Sequence, residues 1–216
     1  MKKNLTELVF IIDKSGSMHD LKQDTIGGYN SMLEKQKKEE GEAYVTTVLF
    51  DTEYTVFQDH VKLDEAKTMT DNDYYVGGMT ALMDAVGSTI DNIGKRLADT
   101  AEEERPETVI FVIITDGYEN ASKEYSKDAV KSKIEHQQSK YSWQFIYLGA
   151  DIDAAKEALK IGISSKFARN YTKSSKGLES AYMGMSTVMS VARKRTTYKS
   201  ETEYEMAVCD SLDEIE

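Results

Sequence analysis

The sequence predicts an α/β fold, a doubly wound three-layer sandwich with helices on both faces of a mostly parallel six-stranded sheet in the order 3-2-1-4-5-6, with one antiparallel edge strand. Short runs rich in Val, Ile, Leu and Phe alternate with longer segments whose apolar residues recur at helical intervals. One run, 108–114, is apolar almost throughout, which is typical of a parallel strand buried on both faces. The length of 216 residues suits one large domain, so we expect a single domain over 1–195 and an acidic tail over 196–216.

In the first half of the chain, β-branched and aromatic runs indicate strands, and apolar residues that share one face indicate helices. The first helix carries Ile26, Tyr29 and Leu33 on one face and is expected to end before Gly41. The second and third strands are so close in sequence that only a hairpin can join them, which makes the third an antiparallel edge strand. The elements expected here are strand 8–12, helix 20–40, strand 43–50, strand 54–57 and helix 82–97.

The second half continues the alternation of strands and helices. Pro106 ends the linker before the apolar run, and the last helix carries Arg193, Lys194 and Arg195 at its C-terminus, where the helix dipole favours cations. The tail has one short apolar cluster at 206–208, so it either docks on the domain or extends into solvent. The elements expected here are strand 108–114, helix 122–139, strand 143–148, helix 152–159, strand 166–169 and helix 177–195.

Oxygen-bearing side chains occur in three separate segments at the ends of predicted elements. The first strand ends at Asp13, which Ser15 and Ser17 follow; a glycine turn precedes Thr80; and the fourth strand ends at Asp116. Strands one and four are neighbours where the strand order reverses, and ligands of doubly wound sheets lie at that point. Carboxylate and hydroxyl oxygens are hard donors that suit Mg²⁺, with Mn²⁺ or Ca²⁺ as alternatives. We therefore predict that Asp13, Ser15, Ser17, Thr80 and Asp116 form one divalent cation site.

A cation in this site is expected to keep a coordination position for an outside ligand. Mg²⁺ in proteins usually retains water or another ligand, so the carboxylate of an Asp or Glu on a partner protein can complete its shell. The competing interpretation is local, since Asp and Ser are also favoured helix caps and turn residues. Tyr74, Tyr75 and Tyr118 flank the same loops, either as an aromatic rim for a partner or as ordinary loop packing.

The motifs D-x-S-G-S, a separate threonine and T-D-G resemble the metal-ion-dependent adhesion site of von Willebrand factor type A domains. The resemblance covers 6–195, and within the family the short chain is most similar to small stand-alone bacterial and phage proteins. It implies that Ser15, Ser17 and Thr80 bind the metal through their hydroxyls, while Asp13 and Asp116 bind directly or through water. It also implies a non-enzymatic module that binds a protein partner.

An alternative function is a Mg²⁺-dependent phosphohydrolase that uses Asp13 as its phosphoryl acceptor. Haloacid-dehalogenase-like enzymes are similar in placing D-x-D-x-T at such a strand end, but Ser15 replaces the second aspartate here. The motif has no adjacent cysteine or Glu-x-x-His that could act as nucleophile or base, and His19, which precedes Asp20, is interpreted as a solvated residue beside the site without a catalytic role. We therefore expect no enzymatic activity.

Composition limits the partners and the compartment. The net charge of -11 argues against binding to nucleic acid, which needs Lys and Arg to neutralise phosphates. Cys209 is the only cysteine, so an intrachain disulfide and a cysteine-based metal site are excluded. The lead before the first strand is too short to be expected to act as a signal peptide, and no apolar run approaches the length of a membrane span. A cytoplasmic monomer without membrane contact is expected.

Overall fold

The sheet of the computed structural model, which describes residues 1–215, has the order β3-β2-β1-β4-β5-β6. Neighbouring strands are parallel except for the β2–β3 hairpin at one edge. The predicted fold class and strand order are therefore confirmed. The strands are β1 (Lys2–Asp13), β2 (Glu42–Phe50), β3 (Tyr54–Lys62), β4 (Pro106–Thr115), β5 (Gln144–Gly149) and β6 (Ala168–Asn170).

Helices cover both faces of the sheet. They are α1 (Lys22–Gln36), α2 (Leu82–Asp99), α3 (Lys127–Tyr141), α4 (Ala154–Lys160), α5 (Ser175–Arg193) and α6 (Glu201–Leu212). Helix α5 packs against α1, α6 and the central strands, while α2 packs against α3 and the other side of β1 and β2. Because helices exclude water from both faces, β1 and β4 are buried along most of their length and can be apolar nearly throughout.

The register of the central strands positions the functional end of the sheet. Ile12 of β1 lies opposite Ile114 of β4, so Asp13 and Thr115 are the next residues on two neighbouring strands. Asp13 also pairs in register with Phe50 of β2, and Thr115 with Gly149 of β5. The carboxyl ends of these strands therefore meet at one edge of the sheet.

The first predicted helix, 20–40, is shorter in the structure because its ends are controlled by tertiary contacts. A 3₁₀ helix occupies Gly16–Leu21, and α1 ends at Gln36. The carbonyls of Gln36, Glu39, Glu40 and Gly41 accept hydrogen bonds from the guanidinium of Arg193 on α5. A side chain far away in the sequence therefore binds the carbonyl groups that a longer helix would have used.

The third predicted helix, 122–139, begins later than expected. Backbone N–H groups of Lys123, Glu124 and Tyr125 donate to the carboxylate of Asp84 on α2, which holds this segment as a loop. Helix α3 then begins at Lys127, with the Ser126 side chain accepting the N–H of Ala129 as its N-cap.

The segment after 195 docks on the domain and contains α6, which the sequence analysis did not predict. Tyr204, Val208 and Leu212 recur at four-residue intervals and are fully or almost fully buried against the core. Where α5 and the C-terminal segment meet, a β-carbon at Gly184 would lie 2.3 Å from Ile215 Cγ1, so any larger residue would have to displace the Ile215 side chain. None of the helices within residues 1–215 combines the length and the apolar composition that crossing a bilayer requires.

Candidate metal site

Asp13 is buried at the end of β1 and is held by neutral hydrogen-bond donors. Its Oδ1 accepts the backbone N–H of Ser15 at 2.7 Å, and its Oδ2 accepts the hydroxyl of Thr115 at 2.5 Å. Burial raises the pKa of Asp13 to about 6, although the hydrogen bonds from Thr115 and Ser15 act in the opposite direction. An ionised Asp13 is therefore costly in this environment, and a bound cation would stabilise it.

The predicted hydroxyl donors lie beside Asp116. Ser15 Oγ is 3.1 Å from Ser17 Oγ, and Ser17 Oγ donates to Asp116 Oδ1 at 2.5 Å. A β-carbon built on Gly117 would lie 3.3 Å from Thr80 Oγ1 and 3.8 Å from Ser17 Oγ, so both hydroxyls lie next to this glycine. The structure thus brings the predicted side chains together at the carboxyl ends of β1 and β4.

Backbone hydrogen bonds fix the glycine turn that carries Thr80. Gly77 N–H donates to the carbonyl of Lys14 at 2.9 Å, and Gly16 N–H donates to the carbonyl of Gly78 at 3.2 Å. Thr80 N–H donates to Asn120 Oδ1 at 2.9 Å, which ties the turn to the loop after Asp116. All three motif segments therefore belong to one hydrogen-bonded unit.

Lys14 and Asp51 form a buried ion pair next to this unit, with 2.7 Å between Lys14 Nζ and Asp51 Oδ2. Asp51 Oδ1 also accepts the N–H of Glu53, so the carboxylate is held from both sides. Gly78 passes directly over this carboxylate with a φ of +68°, in the left-handed region that favours glycine.

Replacing Gly78 by Ala is expected to lower the free energy of unfolding by about 1–2 kcal/mol, because backbone strain at a positive φ adds to a steric conflict of the new β-carbon. Its β-carbon would lie 2.8 Å from Thr52 Oγ1 and 3.2 Å from Asp51 Oδ2. Gly77→Ala is the matched control, since its φ is not positive and its nearest contact is Tyr75 at 3.8 Å. Urea unfolding of both variants measures the difference, and equal stabilities would contradict the expectation.

Lys173 is a site residue that the sequence analysis missed. It lies in the loop between β6 and α5, and its Nζ is 2.9 Å from Asp116 Oδ2 and 3.8 Å from Asp151 Oδ2. The contact with Asp116 raises the pKa of Lys173. Nothing in the local sequence distinguishes this lysine from its neighbours, because its partner follows β4, far away in the sequence.

Exposed apolar side chains surround the opening of the site. Tyr75 is 76% exposed, Met79 55% and Tyr118 54%. Tyr74, in contrast, is fully buried and donates its hydroxyl to the backbone carbonyl of Asp13. The interpretation of a tyrosine rim is therefore wrong for Tyr74, which packs under the loop.

The chemistry of the donor set fits a hard cation. Within residues 1–215 no group of three or more His, Cys, Asp or Glu side chains is placed to hold a metal ion. The cluster described above has two carboxylates, and its other oxygen donors are the hydroxyls of Ser15, Ser17 and Thr80. Oxygen donors of this kind match the preferences of Mg²⁺ and Mn²⁺.

Comparisons with known proteins give a likeness of fold. A scan against protein-family models and a search of curated proteins both found no match. One similar solved structure is the proximal thread matrix protein 1 of the mussel byssus, described with zinc in its MIDAS (metal-ion-dependent adhesion site) motif. It matches at a TM-score of 0.59 and 15% identity, over 88% of this chain and 47% of its own. This chain therefore spans about half the length of that protein.

Two bacterial structures show the same likeness. The vWF domain of the type V pili tip protein Mfa5 from Porphyromonas gingivalis matches at a TM-score of 0.63 and 9% identity, over 91% of this chain and 97% of that one. A von Willebrand factor type A protein from Catenulispora acidiphila matches at 0.56 and 12% identity, over 86% of this chain and 42% of that one. The strand order, the flanking helices and these matches together show that the chain has the fold of a von Willebrand factor type A domain.

Proposed function

We propose that this chain is a metal-dependent protein-binding module. Asp13, Ser15, Ser17, Thr80 and Asp116 hold a divalent cation, for which Mg²⁺ is the first candidate, and the cation binds an Asp or Glu carboxylate of a partner protein. The single observation that carries this proposal is the cluster itself, in which a buried carboxylate, a second carboxylate and three hydroxyls lie together at one sheet edge. A divalent ion is also consistent with the zinc-occupied MIDAS motif of the mussel protein, which is similar in fold.

The surroundings of Asp13 favour binding over catalysis. Both of its carboxylate oxygens accept hydrogen bonds, from Ser15 and Thr115, and the side chain is buried. A phosphoryl-accepting aspartate is assisted by a second acidic residue that protonates the leaving group, and Ser15 occupies the position where such a residue would be expected. Each Asp13 oxygen accepts one hydrogen bond and keeps a second lone pair for a cation.

The rim of the site provides a surface for the partner around its carboxylate. Ser17 is exposed, and Tyr75, Met79 and Tyr118 project into solvent from the loops that carry the donors. Tyr and Met are enriched at protein interfaces, where they contribute apolar contact area. The partner is therefore proposed to present an acidic side chain that is flanked by apolar residues.

The function is tested by comparing wild type with Asp13→Ala in two measurements. Calorimetric titration with Mn²⁺ should show one site in wild type and none in the variant. In a pull-down from a lysate of the cells that produce this protein, immobilised wild type should then retain a partner protein in Mg²⁺ and lose it in EDTA. Asp13→Ala should not retain that partner under either condition. Asp210→Ala is the control, because it removes the same charge from an exposed position on α6. Retention of the same protein by Asp13→Ala in Mg²⁺ would refute the proposal.

A further inference from the structure

Lys173 contacts the Asp116 carboxylate oxygen that does not accept the hydroxyl of Ser17. Asp116 Oδ1 accepts the hydroxyl of Ser17 at 2.5 Å, whereas Oδ2 lies 2.9 Å from the ammonium of Lys173. The Asp116 side chain is fully buried, while that of Lys173 is 28% exposed. The ammonium of a partly exposed side chain therefore neutralises a carboxylate that is shielded from water.

We propose that Lys173 is a tethered cation that competes with the divalent metal for Asp116, and so sets the metal affinity of the site. This inference rests on the proposed metal site and names one way in which its occupancy is regulated. With Lys173 in place, Asp13 and Asp116 offer one net negative charge to a metal ion instead of two. A cation at the Oδ1 side of Asp116 also lies close to the ammonium, so the two positive charges repel.

The backbone around Lys173 is anchored, which leaves the side chain as the moving part. Tyr171 is buried and donates its N–H to the carbonyl of Gly149 at 3.0 Å. Ser174 caps α5 by accepting the N–H of Gly177 at 3.1 Å. Lys173 therefore stays next to the site when its ammonium leaves Asp116.

Asp151 provides the alternative partner for the displaced ammonium. Its Oδ2 lies 3.8 Å from Lys173 Nζ, and its side chain is 65% exposed. A rotation of the lysine side chain toward Asp151 would release Asp116 to the metal without a change in the fold. The exchange of partners is electrostatic, so it should weaken as salt is raised.

The test is a calorimetric titration of the full chain with Mn²⁺ alone. Lys173→Gln is expected to tighten Mn²⁺ binding by about tenfold or more, since it removes a positive charge next to a carboxylate ligand. Lys173→Arg retains the charge and should bind Mn²⁺ as wild type does. Lys176→Gln is the matched control, because it removes the same charge from an exposed position on the same segment and should leave the affinity unchanged.

Thermal unfolding supplies a second readout. Without metal, Lys173→Gln leaves Asp116 buried without its cation and should melt at a lower temperature than wild type. Saturating Mn²⁺ should therefore raise the melting temperature of Lys173→Gln by more than it raises that of wild type. Asp151→Asn should weaken Mn²⁺ binding in wild type and have a much smaller effect in the Lys173→Gln background.

The outcomes separate this inference from the proposed function. Wild-type binding that depends on Asp13, together with equal or weaker binding by Lys173→Gln, would overturn the role of Lys173 and leave the metal site standing. Absence of Mn²⁺ binding in every variant, Lys173→Gln included, would overturn both, because removal of a competing cation can only favour the metal.

Discussion

Replacing Glu7 by Ala is expected to lower the free energy of unfolding by about 3–5 kcal/mol, the cost of breaking a buried charge network by removing one partner. Glu7 is fully buried in β1 and accepts hydrogen bonds from Arg96 at 2.8 Å, His60 Nδ1 at 2.8 Å and Thr46 at 3.0 Å. These partners belong to α2, β3 and β2, so one carboxylate joins the edge hairpin and a helix to the central strand. The variant removes the acceptor that all three share.

Glu42→Ala is the matched control for Glu7→Ala. Glu42 pairs with Lys2 at 2.8 Å, but the two side chains are 65% and 45% exposed. Exposed ion pairs contribute about 0–1 kcal/mol, so this variant should unfold close to wild type. Urea unfolding at pH 7 gives both values, and a Glu7→Ala variant as stable as Glu42→Ala would show that the network does not hold the hairpin.

The elements that sequence patterns predict well are those whose signals are local. Strand β4 is apolar nearly throughout because helices cover both of its faces, and this run alone is sufficient to identify it. The end of α1 and the start of α3 were misplaced because Arg193 and Asp84 bind backbone groups of distant segments. Such contacts leave no pattern in the segment whose boundary they change.

The candidate site follows the same rule. Asp13 is the last residue of β1 and Asp116 directly follows β4, and the parallel order of these strands is sufficient to bring the two residues together. Lys173 and the Lys14–Asp51 pair could not be predicted, because a long flexible side chain can reach many positions once the fold is formed. Helix α6 differs from these, because its buried apolar residues do recur at helical intervals, but they are few and lie in an otherwise acidic segment that resembles a solvated tail.

Replacing Asp13 by Asn is expected to abolish metal binding. In the metal-free protein it should also remove a pH-dependent loss of about 3 kcal/mol in the free energy of unfolding. Burial raises the pKa of Asp13 from 3.8 in the unfolded chain to about 6 in the folded one, so between these values the folded state holds a proton that the unfolded state has lost. The contribution of Asp13 to stability is therefore fully present below pH 3.8 and is lost as the pH rises through about 6. Asparagine has the same shape and does not titrate.

The difference in unfolding free energy between wild type and Asp13→Asn isolates this effect, since the titration of all other groups cancels. Urea unfolding in EDTA should show wild type losing about 3 kcal/mol relative to the variant between about pH 4 and pH 7, and a constant difference above that. Mg²⁺ should reverse the trend at pH 7.5 in wild type alone, because the metal binds the ionised carboxylate and stabilises the folded state. A difference that is independent of pH would mean that Asp13 ionises normally in the fold, and stabilisation of Asp13→Asn by Mg²⁺ would place the cation elsewhere. Burial makes ionised Asp13 unfavourable without metal, and the same shielding from water strengthens its attraction to a bound cation. The two measurements therefore test one physical cause.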